Sequence, residues 1–201
     1  MCVHGNLPVV LSASLDSSVR VWNYENPDQV QQRKFGVHRD QVTGLSLHPT
    51  QDYFLSTSKD KSWTFSDINS GADLIRTFDE DAITCGQFHP DGLILGTGTT
   101  RAEVKIWDLK SSSKGDAKPA AQPFRGHSGP VEAIAFSENG YHLATASRGN
   151  EGTRSGFEIR ANLLARQGFR TLVPDCYSLI DIDEFFFRVI RLLVYLENGR
   201  R

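Results

Sequence analysis

Three side chains near the start of this 201-residue chain have the types that hydrolytic chemistry uses: His38, Ser56 and Asp60. A serine activated by a histidine that a carboxylate orients is the arrangement of a covalent hydrolase. The same residue types recur, however. Ser12, Asp16 and Trp22 stand in the corresponding places upstream. Thr97 and Trp107 do so downstream, with Asp79 and Arg101 in the histidine and aspartate places, and His127 with Thr145 follows. Catalysis needs one copy of a reactive set, whereas a polar cluster that fixes a repeating unit is needed in every unit. Repetition therefore favours a structural role for His38, Ser56, Asp60, Asp16, Trp22, Thr97, Trp107, His127 and Thr145. No catalytic, cofactor-binding or metal-binding residue is assigned.

Other candidates yield to the same reasoning. His48 and His89 both precede proline at equivalent turns, and a metal between them would have to bridge neighbouring units. Turn chemistry explains them more simply. Gly96-Thr97-Gly98 has the look of a phosphate loop but sits inside a strand pattern, with no helix N-terminus after it. Lys59, Lys61, Arg101 and Lys105 are mixed with acidic residues and read as a solvated face.

These residues are positioned by repeats. Thr84–Leu109 reads as two strands, a His-Pro-Asp-Gly turn between them and a third strand ending in Trp107-Asp108. Shifted back by about 41 residues, Ile83–Pro90 falls on Val42–Pro49. A further step of about 44 brings Ser58-Lys59-Asp60 onto Ser14-Leu15-Asp16, and a forward step of about 48 lays Ile83–Phe88 on Val131–Phe136. A period of about 40–45 residues with four short strands per unit and Gly-His…Trp-Asp punctuation marks propeller blades. The expected fold is all-β: a partial β-propeller of about three and a half blades of four-stranded antiparallel sheet. The N-terminus enters mid-blade, and Ser111–Pro123, rich in Ser, Lys, Ala and Pro, reads as a solvated loop.

The pattern stops after Ser147. Residues 1–148 are assigned to the partial propeller and 149–201 to a divergent tail. Within the tail, Ile182, Phe185, Phe186, Val189, Leu193 and Leu196 recur near helical spacing, which predicts a helix over 178–197.

Composition removes several classes of partner. A formal charge of −2 gives no positive field toward nucleic acid or membrane, so neither is an expected direct partner. Three separated cysteines (Cys2, Cys85, Cys176) make no CxxC pair and point to a reducing compartment. Met1-Cys2-Val3-His4 does not open a signal peptide, and no apolar run reaches the length of a membrane span.

The strings FHPDGLILGTGT (Phe88–Thr99), VKIWDLK (Val104–Lys110), GHSGPV (Gly126–Val131) and IAFSENGYHLATA (Ile134–Ala146) resemble the WD-repeat region of the pre-mRNA-processing factor 19 family. VTGLSLHPT and SWTFSDINSG (Val42–Thr50, Ser62–Gly71) are similar to it too, with Ser66-Asp67 standing for Trp-Asp. The resemblance covers Pro8–Ser147. It implies a nuclear splicing scaffold that is also a U-box ubiquitin ligase and takes part in DNA repair. It also implies spliceosomal subunits and ubiquitination substrates as partners, with no cofactor. No residues match the family's U-box or its tetramerising coiled coil, so no catalytic residue carries over. Three and a half blades do not close a ring of seven, which predicts marginal stability for the isolated chain. The competing readings are a truncated or mis-spliced product without activity, and an unrelated WD-repeat adaptor.

Overall fold

Short runs of alternating apolar residues, punctuated every few positions by Gly, Asp, Ser and Pro, favour strands over helices here. The computed structural model describes residues 1–25, 33–110 and 117–148 in full, and the backbone alone of 31–32, 157–165 and 168–170. It holds four antiparallel sheets of four strands each, in simple sequential order. Sheet 1 comprises β1 (Cys2–Val3), β2 (Val9–Ala13), β3 (Val19–Asn23) and β4 (Gln31–Phe35). Sheet 2 comprises β5 (Val42–Leu47), β6 (Tyr53–Ser58), β7 (Ser62–Asp67) and β8 (Asp73–Phe78). Sheet 3 comprises β9 (Ile83–Phe88), β10 (Ile94–Thr99), β11 (Val104–Asp108) and β12 (Lys118–Pro119). Sheet 4 comprises β13 (Val131–Phe136), β14 (His142–Arg148), β15 (Phe157–Ala165) and β16 (Gly168–Arg170).

Four strands go beyond the sequence reading. The N-terminus does not enter mid-blade: Cys2 and Val3 pair with Leu11 and Val10 and supply the first strand. Two residues are too short a run for a periodicity argument to detect. The segment Ser111–Pro123 is not wholly a solvated loop, because Lys118 and Pro119 pair with Asp108 and Trp107, and Ala117 is buried. Within 149–201, β15 pairs along all of β14 and β16 pairs with β15. In β15, Phe157, Ile159, Ala161 and Leu163 alternate with Glu158, Arg160 and Asn162, the period-2 pattern of a strand. Asn162 opposes Leu143 where Trp107 opposes Leu95, so the strand is present without its Trp-Asp marker. The helix expected over 178–197 lies outside the described residues.

The sheets pack face to face in chain order, with an apolar seam at each junction. Leu11, Val21, Phe35 and Phe54 fill the seam between sheets 1 and 2. Leu55, Trp63, Leu95 and Trp107 fill the next, and Val104, Ile106, Ile134 and Leu143 the third. Fully burying one such side chain is worth about 1.5–3 kcal/mol, so the seams are the main cohesive force between sheets. The indoles of Trp63 and Trp107 meet edge-on at 5.6 Å across the second seam. First strands of neighbouring sheets also bond directly. Thr43 Oγ1 donates to Ile83 O at 2.8 Å, Phe88 N to Ser46 Oγ at 3.3 Å and Phe136 N to Gln87 Oε1 at 3.1 Å. Gly96 and Gly98 belong to this packing, since an added Cβ would lie 2.7 Å from Ile134 Cδ1 and 2.6 Å from Val131 Cγ1. Close approach of sheet 4 explains both glycines, and the phosphate-loop reading has no support.

Candidate functional site

The set in sheet 2 is assembled from four places in the chain. His38 follows β4, Ser56 lies on β6, Asp60 is in the β6–β7 turn and Ser62 opens β7. His38 Nε2 lies 2.8 Å from Ser56 Oγ, and its Nδ1 is 2.9 Å from Ser62 Oγ and 3.4 Å from Asp60 Oδ2. Asp60 Oδ1 accepts from Ser62 Oγ at 2.6 Å and Ser62 N at 2.9 Å, while Oδ2 accepts from Arg39 N at 2.8 Å. Arg76 stands 3.4 Å away. Serine, histidine and aspartate are thus in triad-like order, but Ser56 is wholly buried and its Oγ is also 2.6 Å from Thr64 Oγ1. A hydroxyl closed off from solvent and already hydrogen-bonded offers no route for a substrate. Burial holds the pKa of His38 below its ordinary 6.5, in spite of the nearby Asp60 carboxylate. Burial alone would raise that of Asp60, yet the bonds from Ser62 and the backbone N–H of Arg39 outweigh it and hold it below the ordinary value. The resting set is therefore a neutral imidazole beside an ionised carboxylate.

The other units fill the same places differently. In sheet 1, Trp22 Nε1 donates to Ser12 Oγ at 2.7 Å. Asp16 instead holds its turn, accepting from Ser18 Oγ and N and pairing with Arg20. The Ser18 hydroxyl, with Ser14, draws the Asp16 pKa down to about 2. In sheet 3, Trp107 Nε1 donates to Thr97 Oγ1 at 2.8 Å. In sheet 4, His127 Nε2 is 2.7 Å from Thr145 Oγ1. In sheet 2, Ser66 takes the tryptophan place and donates to Asp73 Oδ1 at 2.8 Å, leaving Thr64 as the second partner of Ser56.

Sheet 3 corrects the sequence reading twice. Arg101 does not join the buried set: its guanidinium is exposed and pairs with Asp81 at 3.1 Å. Lys105, read as a solvated charge, is buried, with Nζ 2.5 Å from Asp79 Oδ1 and 3.9 Å from Glu103 Oε2. The strand register carries the missed signal. Lys105 opposes Thr97 as Thr64 opposes Ser56, so it points into the same interior position.

His48 and His89 do more than shape their own turns. His48 Nε2 lies 3.0 Å from Gly92 O of the next sheet, and His89 Nε2 lies 2.9 Å from Gly140 O of the sheet after. Both glycines have left-handed φ, 72° and 74°, and an added Cβ would collide with the imidazole at 2.4 and 2.3 Å. Each histidine therefore needs a glycine opposite it. Among the described residues, no group of three His, Cys, Asp or Glu side chains is placed to hold a metal ion. The Cys85 thiol is pushed up to about 12 by burial, which leaves it unreactive.

These repeated sheets agree with comparison to known proteins. The family model described as WD domain, G-beta repeat matches residues 1–23, 29–65, 72–108 and 118–151. Pre-mRNA-processing factor 19 of Bos taurus is 50% identical over 136 residues, covering 66% of this chain and 25% of the relative. Pre-mRNA-processing factor 19 homolog 2 of Arabidopsis thaliana is 44% identical over 147 residues, 71% of this chain and 27% of the relative. The Caenorhabditis elegans protein of the former name is 44% identical over 115 residues, 55% and 23% respectively. The chain thus spans about a quarter of the length of the curated relatives it matches. With four matched repeats forming four stacked sheets, the chain belongs to the WD domain, G-beta repeat family, and its repeat region is similar to that of Pre-mRNA-processing factor 19.

Proposed function

We propose that this chain is a protein-binding scaffold of the splicing machinery, a nuclear WD-repeat module that holds subunits of a pre-mRNA-processing complex together. The observation that carries this reading is the 50% identity over 136 residues to a relative whose name states pre-mRNA processing. In the same reading the buried polar sets around His38, Lys105 and His127 are structural fixtures, and binding falls to exposed loop residues. Ubiquitination and DNA repair enter as tasks of complexes that this scaffold joins, with ubiquitin transfer performed by an associated U-box subunit.

The test is recovery of tagged full-length chain from nuclear extract. Enrichment of spliceosomal subunits over an unrelated WD-repeat protein is the expected result. Recovery no better than that control favours the unrelated-adaptor reading. In a reconstituted ubiquitination reaction, the purified chain alone is expected to form no ubiquitin chains, and their appearance would overturn the division of labour.

A further inference from the structure

The connections from first to second strand form one continuous row. Gly5 N donates to Gln51 Oε1 at 2.5 Å, His48 links to the carbonyl of Gly92, and His89 to that of Gly140. In sheets 1–3 the residue that opens the third-to-fourth connection is bonded to the same row: Tyr24 N donates to Pro8 O, Ile68 N to Asp52 O and Leu109 N to Leu93 O, at 2.9–3.1 Å. The described residues of this end thus form a hydrogen-bonded rim along the four sheets.

Large apolar side chains stand exposed on it: Leu7 at 49%, Tyr24 at 62%, Leu93 at 40% and Tyr141 at 46%, with Leu93 and Tyr141 at equivalent positions. Leu93 and Tyr141 each directly follow a glycine gripped by a histidine of the preceding sheet. Exposed apolar groups recurring along one rim mark a protein-contact surface more than scattered ones do. The exposed charges between them are acidic: Glu25, Asp52, Asp91 and Glu138. Among the described residues, Lys110 and Lys118 are the exposed cations of this end, fewer than the carboxylates, and Arg33 is spent on the carbonyls of Ile68 and Asn69. At the opposite end, Lys59, Lys61 and Arg101 are interleaved with Asp40, Glu80 and Asp81, so no single sign prevails.

We propose that this rim docks a basic, apolar-anchored segment of a partner protein, with Leu, Ile or aromatic residues seated against Leu93 and Tyr141 and Lys or Arg facing Asp52 and Asp91. The assignment rests on the scaffold reading above and names the chemistry of its partner. Apolar anchors supply the affinity, and the acidic surround supplies attraction and selectivity against acidic segments. Because the histidine links hold the turns in place, little backbone ordering is needed on binding.

The probe is a fluorescein-labelled peptide of alternating lysine and leucine, titrated with the full-length chain by fluorescence anisotropy. Saturable binding that weakens as salt rises is expected, with the glutamate–leucine counterpart binding at least about tenfold more weakly. Leu93→Ser with Tyr141→Ser is expected to cost about tenfold in affinity. Asp52→Lys should cost a smaller factor and flatten the salt dependence. Leu15→Ser with Phe78→Ser at the opposite end should change nothing, and an unchanged unfolding midpoint certifies each variant's fold. Equal loss in the opposite-end pair, or no loss in the rim pair, overturns the proposal. So does self-association that disappears in the rim pair when no peptide binds, which would assign the surface to a second copy. If the rim pair still recovers spliceosomal subunits from nuclear extract undiminished, the rim is wrong and the scaffold stands. If the parent chain recovers none, the scaffold reading itself fails.

Discussion

At the head of sheet 2 the buried position after the preceding outer strand is a neutral imidazole, His38, held by two hydroxyls and a carboxylate. At the head of sheet 3 the same position is an anion, Asp79, and a lysine on the third strand reaches back to it. One sheet solves the problem with a neutral imidazole hydrogen-bonded to hydroxyls beside a carboxylate, and the other with a direct ion pair, while the strands around them keep the same register. The place demands a paired polar group that ties the entering loop to the sheet, and it tolerates different chemistry. A reactive centre would not tolerate that exchange. The two solutions differ in what happens when one partner is removed.

The largest expected effect is therefore in sheet 3. Asp79→Ala leaves the buried Lys105 ammonium with only Glu103 at 3.9 Å and should lower stability by about 3–4 kcal/mol. Urea unfolding of the full chain measures this, and Asp79→Leu combined with Lys105→Met should recover most of the loss. His38→Ala should cost less, about 2 kcal/mol, because Ser56 retains Thr64 and Ser62 retains Asp60 as partners. Similar losses at the two sites would erase the distinction drawn between them.

Gly92→Ala moves the comparison to the rim. The new methyl would sit 2.4 Å from His48 Nε2 on a backbone with φ of 72°. A loss of about 1–2 kcal/mol follows from the left-handed conformation alone, read from the same unfolding curves. The smallest effect is the pH response of sheet 2. The folded pKa of His38 is below 6.5, so the unfolded chain takes up the proton more readily. Stability should then decline gently as the pH falls below about 6.5, and His38→Gln should flatten that decline. Asp60, also lowered, contributes stability above its ordinary 3.8 that is lost only in stronger acid.

Much of this architecture is legible in the residues. His38, Ser56 and Asp60 are found together, as are Trp107 with Thr97, Trp22 with Ser12 and His127 with Thr145, because the repeat places them at fixed offsets. Lys105 escaped notice since charge alone suggests solvent, and only strand pairing shows that it shares an interior position with Thr64. The reach of His48 and His89 is hidden for a similar reason: their partners, Gly92 and Gly140, lie in other repeats. β15 escaped notice because the expected marker was a tryptophan, whereas pairing with β14 requires only an alternating strand of sufficient length.

The account stands or falls on whether the buried polar sets hold sheets together without taking part in binding or chemistry. Equilibrium unfolding of His38→Ala, read beside the recovery of spliceosomal subunits per folded molecule, tests this most directly. The expected result is a lowered unfolding midpoint with unchanged recovery by the molecules that remain folded. An unchanged midpoint together with lost recovery would contradict the account and move His38 from the scaffold into the working surface.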